Sequence, residues 1–416
     1  MDINQALRGN RSIYISGSNI KATMTDQDET QGVIRPYTIH VPQDEIDDLK
    51  QRITNTRWPD EEVTDGYFQG TSLNKAKAVA AYWRDKYDWR RFERETNRYH
   101  QYITRIDGLD IHFFHIRSQV AGAQPILLAH GWPGSFVEFL KCIPLLVDPL
   151  AHGGNPDEAF HVVLPSLPGW GFTEAPKETG WDKKRTARAL ITLMEERLGY
   201  QKWFAQGGDY GAAVTTLMAQ MRPKGLVAIH LNLLFTIPQS LENPTDEEVE
   251  ALAAFRITQD EMCGWKWISS TRPQTIAYLL SDSAVGQAMW IYEKYEEWTD
   301  NVDGPEDALT LDEMLDNISV HWFSRSAGSI SRKFWEDRHS KFDTGILELP
   351  IAILVFEKDI FKHPRKWAED NYPNMIHFHQ TDKGKHFGAF ERPEILVKDV
   401  REGFAKFRVS GTAEAS

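Results

Sequence analysis

Three residues in this chain have the types and the order that covalent hydrolysis requires: Asp209, a carboxylate within Phe356–Asp359, and His386. Asp209 stands in Gly207-Gly208-Asp209-Tyr210-Gly211-Ala212, after the apolar run Trp203-Phe204-Ala205 and before Ala213–Met218, which can start a helix. Small residues on both sides of one reactive residue, between strand and helix, mark a nucleophile elbow. The tight turn lifts the central side chain above the end of the sheet, and only small neighbours let the backbone come that close. A carboxylate is already ionised at neutral pH and attacks without a base. Attack on a saturated carbon that carries a leaving group gives an alkyl-enzyme ester, which water must then cleave. Taken alone, the hexapeptide reads equally well as a glycine-rich turn whose Asp caps a helix. The other motifs decide between the two.

Gly384-Lys385-His386-Phe387 places a histidine late in the chain, where the order nucleophile, acid, histidine requires it. Phe356-Glu357-Lys358-Asp359 ends an apolar strand and offers the acid that orients His386, either Asp359 or Glu357. His130-Gly131-Trp132-Pro133-Gly134-Ser135 follows the apolar strand Ile126–Ala129. In hydrolases with such an elbow, the loop at this point gives one backbone N–H of an oxyanion hole and the residue after the nucleophile gives the other. Those residues are Trp132 and Tyr210. Pro165–Gly171 is a tight loop of matching type after the next strand.

The elements that must carry these motifs alternate. Tyr102–Arg105 and Ile111–Phe114 flank Asp107-Gly108 and read as strand, turn, strand. Ile126–Ala129, Val162–Leu164, Trp203–Ala205, Val227–Ile229 and Ile351–Phe356 are apolar runs of the kind buried in a parallel sheet. Helical stretches separate them, notably 185–198 and 213–222, which predicts an α/β fold with ligands at the carboxyl ends of the strands. Residues 233–345 break the alternation. They are helical and aromatic, with Trp265, Trp267, Trp290, Trp298, Trp322 and Trp335, and read as a cap inserted between core segments 99–232 and 346–416. Before the core, residues 1–33 read as a polar tail. Residues 34–98 read as a helical strap packed on the core, with Ile46, Leu49 and Ile53 on one helix face.

Composition narrows the function classes. With 416 residues and 41% hydrophobic content, the chain can build a large core plus an inserted domain. A net charge of −13 argues against a nucleic-acid partner and against anionic membranes. No run approaches the roughly 18 apolar residues of a membrane span, and with a polar stretch from Met1 to Gly32 neither a signal peptide nor a membrane anchor is expected. Cys142 and Cys263 are far apart and outside any C-x-x-C pattern, so reduced thiols and a cytoplasmic location are expected. The sequence shows no cofactor motif and no metal-ligand pattern. It leaves a small-molecule substrate as the expected partner, and a homodimer is compatible with it.

With these residues in view, the chain resembles the α/β-hydrolase-fold epoxide hydrolases with an N-terminal strap, the microsomal and fungal type. The resemblance runs from about Ile34 to Glu394 through Arg57-Trp58-Pro59, His130–Ser135, Gly207-Gly208-Asp209, Thr271-Arg272-Pro273-Gln274-Thr275, Asp282–Gly286 with Glu293-Lys294, and Gly384–Phe387. It implies an α/β-hydrolase fold with a mostly parallel sheet, a helical strap and a helical cap. It also implies Asp209 as nucleophile, His386 as the base that activates water and Asp359 as its partner, with Glu357 the second choice.

One departure matters. Such enzymes use two cap tyrosines to hold the epoxide oxygen and to protonate the leaving alkoxide. The first belongs shortly before the T-R-P-Q-T motif, where this chain has Cys263-Gly264-Trp265-Lys266-Trp267. The second belongs before an acidic residue in Ser331–Glu336, where this chain has Trp335. His321 also stands where the family often has another aromatic hydroxyl. An indole N–H donates a hydrogen bond but does not give up its proton, and losing general acid catalysis costs about 10² to 10⁴ in rate. Trp265 and Trp335 are therefore expected to bind substrate as donors, with Tyr278, Tyr292 and Tyr295 as other candidates for an acid. Three functions follow: an epoxide hydrolase, a haloalkane dehalogenase whose indoles hold the halide, and a non-hydrolytic pocket that grips a ligand.

Overall fold

A computed structural model describes residues 32–64, 66, 68–236, 242–340 and 345–408. The expected tail thus lies, up to residue 31, outside the described residues. Nine strands form one sheet: β1 (Ile34–Tyr37), β2 (Gln101–Ile106), β3 (Leu109–Ile116), β4 (Gln124–Ala129), β5 (Phe160–Pro165), β6 (Trp203–Gly207), β7 (Leu226–Leu231), β8 (Ile351–Phe356) and β9 (Met375–Thr381). Their spatial order is β1-β2-β3-β5-β4-β6-β7-β8-β9. The pairs from β1 to β5 run antiparallel, and those from β5 through β4 to β9 run parallel. This is the α/β-hydrolase architecture, and all five parallel-type runs read in the sequence are strands in it.

The local chemistry explains the elements. Asp107 and Gly108 both take positive φ, 49° and 82°, as a two-residue hairpin between β2 and β3 requires. β8 is buried at every position because it lies inside the parallel part of the sheet with helices on its faces. β1 and β9 escape the sequence reading. They are edge strands, only partly buried, and so lack the continuous apolar run that betrays a central strand.

Between β7 and β8 the described helices are Asp246–Ile257, Gly264–Thr271, Pro273–Asp282, Ala284–Trp298, Leu311–Phe323 and Ala327–Arg338. Thr245 and Thr310 start two of them with capping boxes closed by Glu248 and Glu313, and Pro273 takes the first turn of a third. The strap joins the sheet through β1 and docks its helices on this cap. Trp83 Nε1 donates to Ser319 Oγ at 3.0 Å, while Tyr87 Oη and Arg91 Nη2 donate to Asp316 Oδ1 at 2.7 and 2.6 Å. Burial pushes the Asp316 carboxyl up to about 7, against the opposing pull of Arg91 and Tyr87. No local pattern points to this partner, because the strap's aromatic face would suit either surface.

Candidate active site

The site begins with how closely three backbone segments approach. β6 ends at Gly207, the chain turns through Gly208, and Asp209 opens the helix Asp209–Met221 with φ of 46°. A Cβ on Gly211 would lie 1.9 Å from the Ala129 carbonyl oxygen, so the helix can pack on the end of β4 only through glycine. A Cβ on Gly131 would lie 2.2 Å from Asp209 Oδ1. That gap lets the Trp132 N–H reach Asp209 Oδ1, to which it donates at 2.7 Å. The first N–H groups of a helix have no acceptor within it, and Tyr210 lies in that first turn on the other side of the elbow.

Asp209 Oδ2 faces His386 Nε2 at 3.6 Å. On the far side of the ring, His386 Nδ1 donates to Asp359 Oδ1 at 2.9 Å, and the same oxygen accepts from the Ile360 N–H at 2.6 Å. Burial by itself would lower the imidazole pKa, but Asp359, then Asp209 and Glu138, outweigh it and raise His386 to about 9. The ring is thus cationic at neutral pH while Asp209 is free. The buried Glu138 carboxyl is raised as well, pushed up to about 8 by desolvation.

The cap closes over this floor and braces it. The His386 N–H donates to the Trp298 carbonyl at 3.1 Å, and the two rings meet edge to face at 4.9 Å. Asn317 Nδ2 donates to the Pro133 carbonyl at 2.9 Å and Asn317 Oδ1 accepts from Ser135 Oγ at 2.7 Å. His321 Nε2 faces the carbonyls of Pro133 and Gly134 at 2.8 and 3.1 Å, so it carries the proton, and Nδ1 accepts from Ser326 Oγ. Burial holds His321 down to about 4 and keeps it neutral. Two cap side chains therefore grip the loop whose Trp132 N–H meets Asp209. Above it, the Trp265 ring stacks on Trp132 at 3.8 Å, with Trp290, Trp298 and Phe334 around them.

The chain is similar to known proteins over most of its length. Residues 34–139 match the epoxide hydrolase N-terminus model and residues 124–256 match the alpha/beta hydrolase fold model. A Stigmatella aurantiaca protein provisionally named an epoxide hydrolase is 48% identical over 90% of this chain and 86% of its own. Epoxide hydrolase 1 of Sus scrofa is 34% identical over 89% of this chain and 88% of its own. The chain belongs to the epoxide hydrolases. Among solved structures, the Aspergillus niger epoxide hydrolase superposes with a TM-score of 0.81 at 29% identity, covering 91% of this chain and 98% of that one. The juvenile hormone epoxide hydrolase of Bombyx mori gives 0.81 at 28%, covering 92% and 96%.

Within this epoxide hydrolase, Asp209, His386, Asp359 and Trp132 come together, and Glu357 stands exposed at the surface, outside the group. Trp265 reaches the ceiling of the site. Trp335 does not: its ring lies tilted against that of His339, the residue that ends its helix, at 4.2 Å. Its neighbour Phe334 holds the inner place, 5.0 Å from Trp265 and 6.1 Å from Tyr210. The expectation of Trp335 as a substrate donor is corrected accordingly, since one step along a helix turns a side chain by about 100°. The other candidates are accounted for as well. Tyr278 is exposed, Tyr292 Oη donates to Glu306 at 2.8 Å, and Tyr295 Oη accepts from Asn317 at 2.8 Å. Sequence reasoning missed Asn317 and Glu138 as parts of the site, and it gave no site role to Phe334, which lies inside the Ser331–Glu336 motif, or to Trp298 beyond its place in the cap. Glu138, eight residues past His130, also lay beside a motif. Cys142 and Cys263 are free and buried, and no described helix is long and apolar enough to cross a membrane.

Proposed function

We propose that this hydrolase opens epoxides in two steps through an ester on Asp209. The observation that carries the reading is the division of labour between the two oxygens of Asp209. Oδ1 rests on the Trp132 N–H, which leaves Oδ2 to attack an epoxide carbon. The C–O bond of the epoxide breaks as the Oδ2–carbon bond forms, and the released oxygen takes its proton from water. The carboxylate loses its negative charge in becoming an ester. His386 owes part of its raised pKa to that charge, so its pKa falls and the ring becomes a neutral base when a base is needed. His386 Nε2 then takes a proton from water, which attacks the ester carbon, while Asp359 holds the imidazolium. The oxyanion grows on Oδ1, already beside the Trp132 N–H, with Tyr210 N–H as the second donor. Collapse breaks the bond between Cγ and the substrate oxygen, His386 returns its proton to that oxygen, and the diol leaves with Asp209 restored.

The ceiling departs from the two-tyrosine pattern in that a tryptophan and a phenylalanine, Trp265 and Phe334, occupy it. Among the described residues the buried indole N–H of Trp265 has no acceptor, an arrangement that costs about 1–3 kcal/mol unless a ligand uses it. That N–H supports a role in holding the leaving oxygen without protonating it, which suits epoxides activated by their own substituents. The same observation favours a second reading, hydrolysis of a haloalkane, because a halide departs without a proton. Diol formation from an epoxide panel, measured beside halide release from a haloalkane panel, separates the two. Single turnover in ¹⁸O-water tests the ester. Label is expected in Asp209, and His386→Gln is expected to accumulate the adduct by mass. An unlabelled Asp209 after turnover would overturn the mechanism.

A further inference from the structure

A second cluster of ligating side chains lies at the opposite edge of the sheet from β1. His377 and His379 are two residues apart on β9 and so share a face of the strand. Both meet Asp399, on the helix Pro393–Gly403 packed against it. His377 Nε2 lies 3.0 Å and His379 Nδ1 2.7 Å from one oxygen, Asp399 Oδ2. All three ligand atoms fall within 4.8 Å of one another. The other oxygen, Asp399 Oδ1, faces His230 Nε2 at 2.9 Å, and His230 is fully buried on β7.

We propose that His377, His379 and Asp399 bind a divalent transition-metal ion, best Zn²⁺, which ties the last long helix to the edge strand of the sheet.

The donor set supports this choice. Two imidazole nitrogens and one carboxylate oxygen suit zinc, nickel or copper rather than calcium or magnesium, which prefer oxygen alone. Zinc bonds to such donors run about 2.0–2.2 Å, which puts tetrahedral ligand atoms about 3.3–3.5 Å apart. Each nitrogen needs to draw back from Asp399 Oδ2 by less than about 1 Å, and His379, with 45% of its side chain exposed, has room to move. Asp399, by contrast, is held in place. The His230 hydrogen bond on its other oxygen is the kind of outer contact that orients a ligating carboxylate. A cavity of about 580 Å³ opens beside His379 and Asp399, lined also by Glu357, Asp382, Lys398 and Glu402. It leaves the fourth position to water, or to Glu402 one turn along the helix from Asp399. The cluster is distinct from the catalytic group. It sits on β9, before the loop that leads to His386, and none of its members touches Asp209, His386 or Asp359.

The test uses the full chain, freed of metal with EDTA and titrated with ZnCl₂ by calorimetry at neutral pH. Uptake of one ion per chain and a rise in Tm are expected. His379→Gln keeps a donor for Asp399 and is expected to weaken binding at least about tenfold, the usual cost of disturbing a metal site. The double variant His377→Ala/His379→Ala should abolish it. Both variants, free of metal, should form diol at the wild-type rate. With Co²⁺ in place of zinc, the visible spectrum should lack the thiolate band that Cys142 or Cys263 would produce. If the wild type takes up no stoichiometric zinc, or if uptake survives in the double variant, the proposal is wrong and the histidines serve only as hydrogen-bond donors to Asp399.

Discussion

The floor of the active site, from Gly131 to the Asp209 elbow, is shaped by backbone, whereas its ceiling, from Trp265 to Phe334, is shaped by side chains. On the floor, Gly131 and Gly211 are required because a Cβ at either would collide with Asp209 or with the Ala129 carbonyl. Such constraints are local and leave little freedom in the motif. On the ceiling, aromatic rings pack on one another, and one residue can replace another of similar size without disturbing the floor. On the proposed mechanism, the nucleophilic half of the reaction is fixed by the fold, while assistance to the leaving group is open to change. Asn317 and His321 join the two regions, since they reach from the cap to the Pro133 and Gly134 carbonyls.

The sharpest way to break this contrast is at the floor. Asp209→Asn is expected to stay folded and to lose turnover by about 10⁴-fold or more, as removal of a nucleophile does, measured as diol formation with circular dichroism as the control. Residual activity within tenfold of wild type would mean that another residue attacks. The ceiling should respond in both directions and less severely. Trp265→Phe is expected to slow ring opening by about 10²-fold if its N–H acts like an oxyanion-hole donor. Phe334→Tyr should speed it by about tenfold or more by restoring an acid. Pre-steady-state kinetics of ester formation reads both. Should neither variant alter that step, the ceiling contributes shape alone.

Removing the joint between the two regions should cost less again. Asn317→Ala leaves Ser135 Oγ without its acceptor in a buried place and loosens the loop that carries the Trp132 N–H. A loss of about 1–3 kcal/mol in stability and about tenfold in kcat is expected from urea unfolding and steady-state rates. An unchanged kcat would show that His321 alone positions the loop. The smallest effect concerns pH. His386 has a pKa raised from 6.5 to about 9 in the folded chain, so its ion pairing adds stability that is fully present below about pH 6.5 and fades as the pH rises through 9. The Tm gap between wild type and His386→Gln should therefore be widest near pH 6 and narrow toward about pH 9.5. A constant gap would rule out that charge state.

Much of the floor was legible in the chain because its constraints are short in range. The elbow, the His130–Ser135 loop and the late histidine each show themselves within a few residues, and strand–helix alternation places them all at one end of the sheet. Choosing Asp359 over Glu357 needed the family pattern, since both carboxylates end the same strand; in the fold, Asp359 turns inward to His386 and Glu357 outward to solvent. The ceiling was readable only in outline. Aromatic content announced a cap, but six tryptophans look alike in sequence. Trp267 lies exposed and Trp322 sits under the Arg52 guanidinium of the strap, while Trp335 turns away from the place that Phe334 takes. Helix phase decides this, and phase depends on where each cap helix starts and which face its neighbours cover.

The sequence by itself determined the family, the α/β-hydrolase fold and the tight turns that hold Asp209 and His386, because small residues in turns and buried apolar strands carry local signatures. Tertiary structure alone decided that the strap grips the cap through Asp316, that Asn317 and His321 hold the Pro133–Gly134 loop, and that His377, His379 and Asp399 meet at one carboxylate oxygen. Each of these joins residues 20 or more positions apart, and no local pattern encodes a meeting that depends on how separate elements pack.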